Sequence, residues 1–259
     1  MTTLTALLLV LGLFCGMLLC LETGLRMGLR RRAENTKDGA GPGFVALGGA
    51  IFALLGLLVA FSFSGAASRF ETKRHLIVEE ANAIGTAYLR IDLLPGASQP
   101  ALREKFRQYL DARLAVYEKL PDMQAANVEM SRATALQREI WELAAAACRE
   151  ISAPATVTLV ISSLNAMFDI STTRMVALEA HAPAIIFVLL AVVSLVCSFM
   201  AGFDASGRKT RSWVHSVGFA AILSIAFYVI LDLEYPWRVG LIRLSSYDHV
   251  LVEVRHSMK

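Results

Sequence analysis

Hydrophobic and polar positions fall into long blocks along this chain. Residues 44–67, FVALGGAIFALLGLLVAFSFSGAA, carry no charge, and about 20 apolar residues suffice to cross a bilayer core. Charge begins at Arg69 without a turn signal, since no proline occurs between Gly43 and Pro95. Gly56 and Gly85 cost a helix about 1 kcal/mol each without ending it. The pattern predicts one long helix from Gly43 to Leu94, or two nearly collinear ones, of roughly 75 Å at about 1.5 Å per residue. Two stripes mark its surface. Gly49, Ala53, Gly56, Ala60, Ser64 and Ala67 recur at spacings of three and four in the apolar half, a face that lets another backbone approach closely. Glu79, Asn82, Thr86 and Arg90 repeat the spacing in the charged half, as a solvated face or as one that meets another polar group.

Three further blocks are long and apolar: residues 4–21, 184–203 and 213–231. The first competes with a signal peptide. No basic residue precedes it and no small-residue cleavage site follows it, so a retained helix is expected. Between the second and third blocks, residues 68–180 are nearly charge-balanced and are cut by Pro95, Pro100, Pro121 and Pro154 into helix-sized pieces. Ser98 is expected to cap one of these, with Pro100 in its first turn. Leu102, Phe106, Tyr109, Leu110, Leu114 and Tyr117 give it a core face, as Leu136, Ile140 and Leu143 do in the next. No strand alternation is present. The expected fold is therefore an all-α membrane protein with four transmembrane helices in two hairpins and a helical-bundle insert between the second and third. The divisions are residues 1–67 for the first hairpin, 68–182 for the insert, 183–233 for the second hairpin and 234–259 for the tail. Ser246 is placed to cap a short final helix.

The segment 155–180 has an uncharged run too short to span a membrane. Thr158, Ser162, Asn165, Asp169 and Thr172 recur on one of its faces. A solvated face normally carries Lys and Glu, so a buried or pore-lining stripe is expected. Counting along both helices from the membrane boundary brings Asn82 level with Asp169 and Thr86 level with Asn165. Asn82–Asp169 is then the closest expected polar pair.

Composition narrows the function. The chain is 56% hydrophobic and 18% charged, with a net charge of +3, which argues for a bilayer and against nucleic acid as a partner. Cys15, Cys20 and Cys197 fall in apolar blocks and Cys148 is alone in the insert, so no metal or disulfide pattern exists. His75, His181, His215, His249 and His256 form no ligand set, and His181 beside Pro183 reads as a membrane boundary. No phosphate loop, nucleophile elbow or dinucleotide fingerprint occurs. No catalytic residue, cofactor or metal is assigned, and the chain does not read as an enzyme. Tyr235 and Trp237, after the last apolar block, suit a headgroup interface.

EEANAIGTAYLR at 79–90, LLP at 93–95, LNAMFDISTTR at 164–174, HAP at 181–183 and DLEYPWRVGLI at 232–242 resemble the bacterial bestrophin-like domain family. The likeness runs over nearly the whole chain, departing where PWRVGLI stands for a form closer to PRRGLI. A more distant resemblance links the chain to true bestrophins, pentameric anion channels with four membrane helices per subunit and a helical cytosolic region. It implies a homo-oligomer, small inorganic ions as the passengers, and a second span that lines a pore with an apolar neck. Leu55, Val59 and Phe63 have suitable spacing for that neck, and equally for lipid contact or packing. Arg90 and Arg174 would draw anions towards it, against Glu79 and Asp169.

The leading expectation is an oligomeric, multi-pass anion channel of the bacterial inner membrane. A non-conducting scaffold or envelope-signalling protein whose insert binds a partner is the alternative, and a motor-stator-type proton channel a smaller one. Charge sets the orientation test. Arg26, Arg30, Arg31, Arg32 and Lys37 follow the first apolar block, Arg208, Lys209 and Arg211 lie between the last two, and nothing basic precedes the first. The positive-inside rule puts both loops in the cytoplasm and the insert outside; Arg238, Arg243, Arg255 and Lys259, like the bestrophin arrangement, favour the reverse. A cysteine introduced between residues 122 and 130, with Cys148 replaced, should react with a membrane-impermeant thiol reagent on intact spheroplasts. Labelling only after lysis would reverse the orientation.

Overall fold

The computed structural model describes residues 3–34, 42–120, 122–207, 213–236, 242 and 244–258. Pro121, Lys37, Arg208, Lys209, Arg211, Trp237, Arg238, Arg243 and Lys259 lie outside the described residues, as does the side chain of Ser246. Among the described residues eight α-helices follow in order: α1 (Thr3–Glu34), α2 (Pro42–Leu89), α3 (Gln99–Glu118), α4 (Met123–Cys148), α5 (Pro154–Glu179), α6 (Ala184–Ala205), α7 (Trp213–Glu234) and α8 (His249–Ser257). Short 3-10 turns occupy Arg90–Leu93 and Leu244–Tyr247. Among the described residues there is no strand. Four stretches of the described residues are long and apolar enough to cross a membrane: Thr3–Ala33, Ala46–Leu93, Pro154–Ala205 and Trp213–Glu234. The third of these joins α5 to α6, which are separate helices. The contacts divide into two compact units, Met1–Arg69 with His181–Ile242, and Phe70–Ala180 with Arg243–Lys259. The single helix α2 contributes to both.

In the first unit α1 packs along α6 and α7. Its closest approach depends on glycine. A Cβ added at Gly24 would fall on the Phe199 carbonyl, and one at Gly202 on the Leu21 carbonyl. At Gly28 a Cβ would come within 2.8 Å of the Phe203 oxygen. Backbone meets backbone here because membrane helices gain little from burying apolar side chains and rely on close packing. The small-residue stripe expected to do this on α2 is elsewhere: Gly49 and Gly56 have nothing within 4 Å of an added Cβ. The buried face of α2 is a different one, through Leu55 and Ala66. Phe52 meets Phe219 of α7 edge-on at 5.9 Å. Ser194 and Ser198, buried on α6, satisfy themselves on their own i−4 carbonyls at 2.7 and 2.8 Å, the usual recourse of a hydroxyl inside a helix.

The second unit is a helical bundle with a conventional core. Leu102, Phe106, Tyr109 and Leu110 of α3 are buried, with Leu136 and Ile140 of α4 and Val160, Leu164 and Met167 of α5. Leu114 and Leu143, expected in the same faces, are half-buried. A large apolar side chain so placed contributes about 1.5–3 kcal/mol. Pro100 occupies the first turn of α3, while Ser98 stands at the N-cap without a side-chain bond. Asp122 does cap α4, its carboxylate accepting from the Gln124 and Ala125 amides at 3.0 and 3.1 Å. α8 starts after Asp248 and buries Leu251 in this core.

Glycine makes this packing testable. Gly202→Ala should lower the stability of the purified protein by about 1–3 kcal/mol, the usual cost of overpacking. Gly218→Ala, where an added Cβ meets nothing within 4 Å, should gain up to about 1 kcal/mol from helix propensity. Equal melting temperatures for the two variants would refute the backbone contact.

Candidate functional site

Charged residues stand on the apolar stripes of three helices. In α2 the buried positions run Lys73, Ile77, Glu80, Ile84 and Ala87; in α3, Leu102, Phe106, Tyr109, Arg113 and Tyr117; in α5, Val160, Leu164, Met167, Ser171 and Arg174. The steps are three and four throughout, so Glu80, Arg113 and Arg174 are carried into the core of the second unit with their neighbours. There they meet. Arg113 Nε donates to Glu80 Oε1 at 2.6 Å, and Arg174 Nη1 donates to Oε2 at 2.6 Å. The Tyr117 hydroxyl donates to Oε2 at 3.2 Å and accepts from Arg113 Nη2. The Arg174 guanidinium lies 3.5 Å from the Tyr117 ring centre and donates through Nη2 to Asp248 Oδ1 at 2.7 Å.

Exposure is 0% for Glu80, 1% for Arg113 and 3% for Arg174, so the two cations and two carboxylates must balance one another. Burial works against the Arg113 charge, but Tyr117 and Glu80 beside it hold the guanidinium above its ordinary value. Burial pushes the Tyr117 phenol up, keeping it a neutral donor. Burial also pushes the Asp248 carboxyl up, despite Arg174. A second polar layer adjoins: Gln137 of α4 donates to Tyr109 at 3.2 Å and to Ser171 at 3.0 Å. Within the cluster each charged group is engaged by another of its members.

The stripes singled out in the sequence lie on other faces. Glu79, Asn82 and Thr86 are exposed, as are Thr158, Ser162, Asn165, Asp169 and Thr172. The second stripe is therefore not buried within the chain. Its hydroxyls bond their own helix, Thr158 to the Pro154 carbonyl at 3.0 Å and Ser162 to the Leu159 carbonyl at 3.2 Å. Asn82 and Asp169 share no hydrogen bond among the described residues. The expected pair is replaced by Glu80 and Arg174, neighbours of the stripes in sequence but on the core side of each helix. Glu79 instead pairs with His75 at 3.1 Å. Arg90 Nη1 donates to the Leu159 carbonyl at 2.6 Å, and Arg174 is buried. Of the neck candidates, Leu55 is 2% exposed and Phe63 46%, with Val59 half-buried, so the three do not share one open face.

In the first unit a further carboxylate is buried. Glu234, at the end of α7, accepts two N–H bonds from Arg69 of α2, one at 2.8 Å, and the Ala182 amide reaches its other oxygen at 3.4 Å. His181 Nδ1 lies 3.8 Å from that oxygen, and its ring stacks on Tyr235 at 4.3 Å. Among the described residues no group of three or more His, Cys, Asp or Glu side chains is placed to share a metal ion.

Helices carrying these residues in this order match a known domain: a family model, the bestrophin-like domain, covers residues 7–245. The chain belongs to the bestrophin-like family. A crystal structure of a bacterial bestrophin homolog from Klebsiella pneumoniae, carrying a tryptophan-to-alanine mutation, superposes with a TM-score of 0.68. That match covers 97% of this chain and 98% of the other at 13% identity, so the bestrophin fold persists where little sequence does. No curated protein matches. With its four long apolar helices, this bestrophin-like chain is a membrane protein.

Removing one partner of a buried ion pair costs about 3–5 kcal/mol, because the other charge is stranded. Glu80→Gln should destabilise the purified protein by about that much, and Arg174→Met in the same background should cost far less than the sum of the single changes. Asp248→Asn should cost less than Glu80→Gln at pH 7. Burial raises the Asp248 pKa despite Arg174, so its ionised form is less favoured in the fold than in the unfolded chain, and stability on this account falls as pH rises through the folded pKa. Strict additivity in the cycle, read by thermal unfolding, would sink the network.

Proposed function

We propose that this bestrophin-like protein assembles as a homo-oligomer, a pentamer by the distant resemblance to bestrophin channels, in the bacterial inner membrane. In that ring α2 lines a path for small inorganic ions, anions first. The chain is organised as two membrane hairpins around a helical insert, followed by its tail. What supports the reading is the state of α2. Only 6% of its apolar window is buried within the chain, against 22–28% in the other three candidate spans. A helix so apolar and so uncovered needs lipid or another subunit against it, and its stripe of Gly49, Ala53, Gly56 and Ala60 suits a neighbouring helix.

The neck then falls to Phe63 and Val59, because Leu55 is turned into its own unit. Apolar constrictions gate by dewetting. Arg174 is neutralised in the core and draws no anion; Arg90, bonded to a carbonyl, keeps its charge nearer the surface. The reading is tested by flux through the purified protein in liposomes, with oligomeric mass measured on the same preparation. Phe63→Ala with Val59→Ala should raise halide flux several-fold. Leu55→Ala should leave flux unchanged and cost about 2–5 kcal/mol of stability, as a buried leucine does. Liposomes sealed to chloride and potassium with both wild type and the wide-neck variant would refute conduction and leave the non-conducting scaffold.

A further inference from the structure

The first unit holds a cavity of about 550 Å³ between α1, α6 and α7, within the range of about 300–1,000 Å³ common to ligand sites. One stripe of each helix lines it. Gly12 and Gly16 of α1 form part of the floor, Val188 and Ala191 of α6 face them, and Phe227 and Leu231 of α7 close the side. The hydroxyl of Tyr235, at the far end of the α7 stripe, is the one polar side-chain group in the lining.

Dimensions and polarity together select an occupant. The lining stripes run from Leu8 to Gly16, Ala184 to Leu195 and Phe227 to Tyr235, about 12–17 Å of helix axis at about 1.5 Å per residue. That is half of the roughly 30 Å hydrocarbon core, the depth of one leaflet. The cavity also begins at the helix ends, where Ala184 opens α6 and Tyr235 follows α7, the level at which tyrosine favours the headgroup boundary. Three helices of one chain wall the groove and Gly12 leaves space in it, while Leu8, Leu9 and Val188 of the lining stay exposed along its open side. We infer that this groove holds a single acyl chain of a membrane phospholipid, entering beside Tyr235 and running one leaflet deep. Arg69, whose partner Glu234 precedes Tyr235 in the chain, is engaged by that carboxylate, so among the described residues it is not free to select a headgroup.

The test uses full-length protein in vesicles of phosphatidylglycerol or phosphatidylethanolamine, each with a trace of the same lipid bearing a diazirine in mid-chain. Crosslinked peptides are mapped by mass spectrometry after excess unlabelled lipid is added. Groove peptides should stay labelled while the outer face of α7 around Ile222, 70% exposed, loses its label, and the two headgroups should agree within twofold. Gly12→Leu fills the space safely, because an added Cβ there meets nothing within 4 Å. It should cut groove labelling at least fivefold and leave the Ile222 face and oligomeric mass unchanged. Combining it with Ala191→Leu should deepen the loss. Groove labelling no more persistent than at Ile222, or undiminished by Gly12→Leu, overturns the inference. So does a headgroup preference beyond twofold, or a shift of oligomeric mass, which would hand the groove to a second copy. None of these outcomes depends on conduction.

Discussion

A carboxylate with no access to water has to be met by cations, and Glu80 sets that condition for the second unit. Arg113 and Arg174 answer it from two other helices, Tyr117 fills the remaining geometry, and Asp248 balances the surplus charge. Apolar contacts tolerate sliding; this arrangement does not. Turning α2 by one residue, about 100°, so that Ala81 takes the place of Glu80 would strand two guanidiniums. The leucines and phenylalanines of the core supply most of the cohesive energy, and the charges fix which faces are allowed to meet. Replacing such a cluster wholesale with apolar groups is often neutral for stability, so its value lies in the register it imposes.

The membrane unit meets the same need for a unique packing by other means. Without a hydrophobic gain between helices, α1 and α6 are keyed by Gly24, Gly28 and Gly202, where no side chain fits. Charge also holds it together: Arg69, Glu234 and the Ala182 amide tie the middle of α2 and the end of α7 to the link before α6. Ser194 and Ser198, inside the unit, bond to carbonyls of their own helix.

Much of the helix inventory was legible from block length and periodicity. The single run of α2, the apolar helices α6 and α7, and the core face of α3 follow from spacing alone. Arg174 was visible as chemistry but was read as an anion attractor, since sequence does not show which partner neutralises a charge. Glu80 and Arg113 were passed over for a different reason. Paired carboxylates and scattered arginines are ordinary on helices, and the signal was positional: each occupies a step of three or four within a run of otherwise apolar residues. Of the two readings of the polar stripe of α5, burial within the chain does not occur, because its Thr and Ser hydroxyls bond to carbonyls of their own helix. The small-residue stripe of α2 was seen, whereas the glycines that pack backbone to backbone were hidden among leucines in α1.

The order of the residues around Glu80 also says something about how the protein is made. Asp248 lies beyond α6 and α7 in the chain, so two apolar helices must leave the ribosome before the last member of the cluster exists. At about 5–20 residues per second, the interval between residues 80 and 248 is about 10–30 s. Through that interval Glu80 can recruit Arg113 and then Arg174, but Arg174 lacks its second carboxylate. Insertion of the later membrane helices thus precedes closure of the second unit's core, and an arrest at α6 or α7 would leave a nascent bundle with an unbalanced cation inside it.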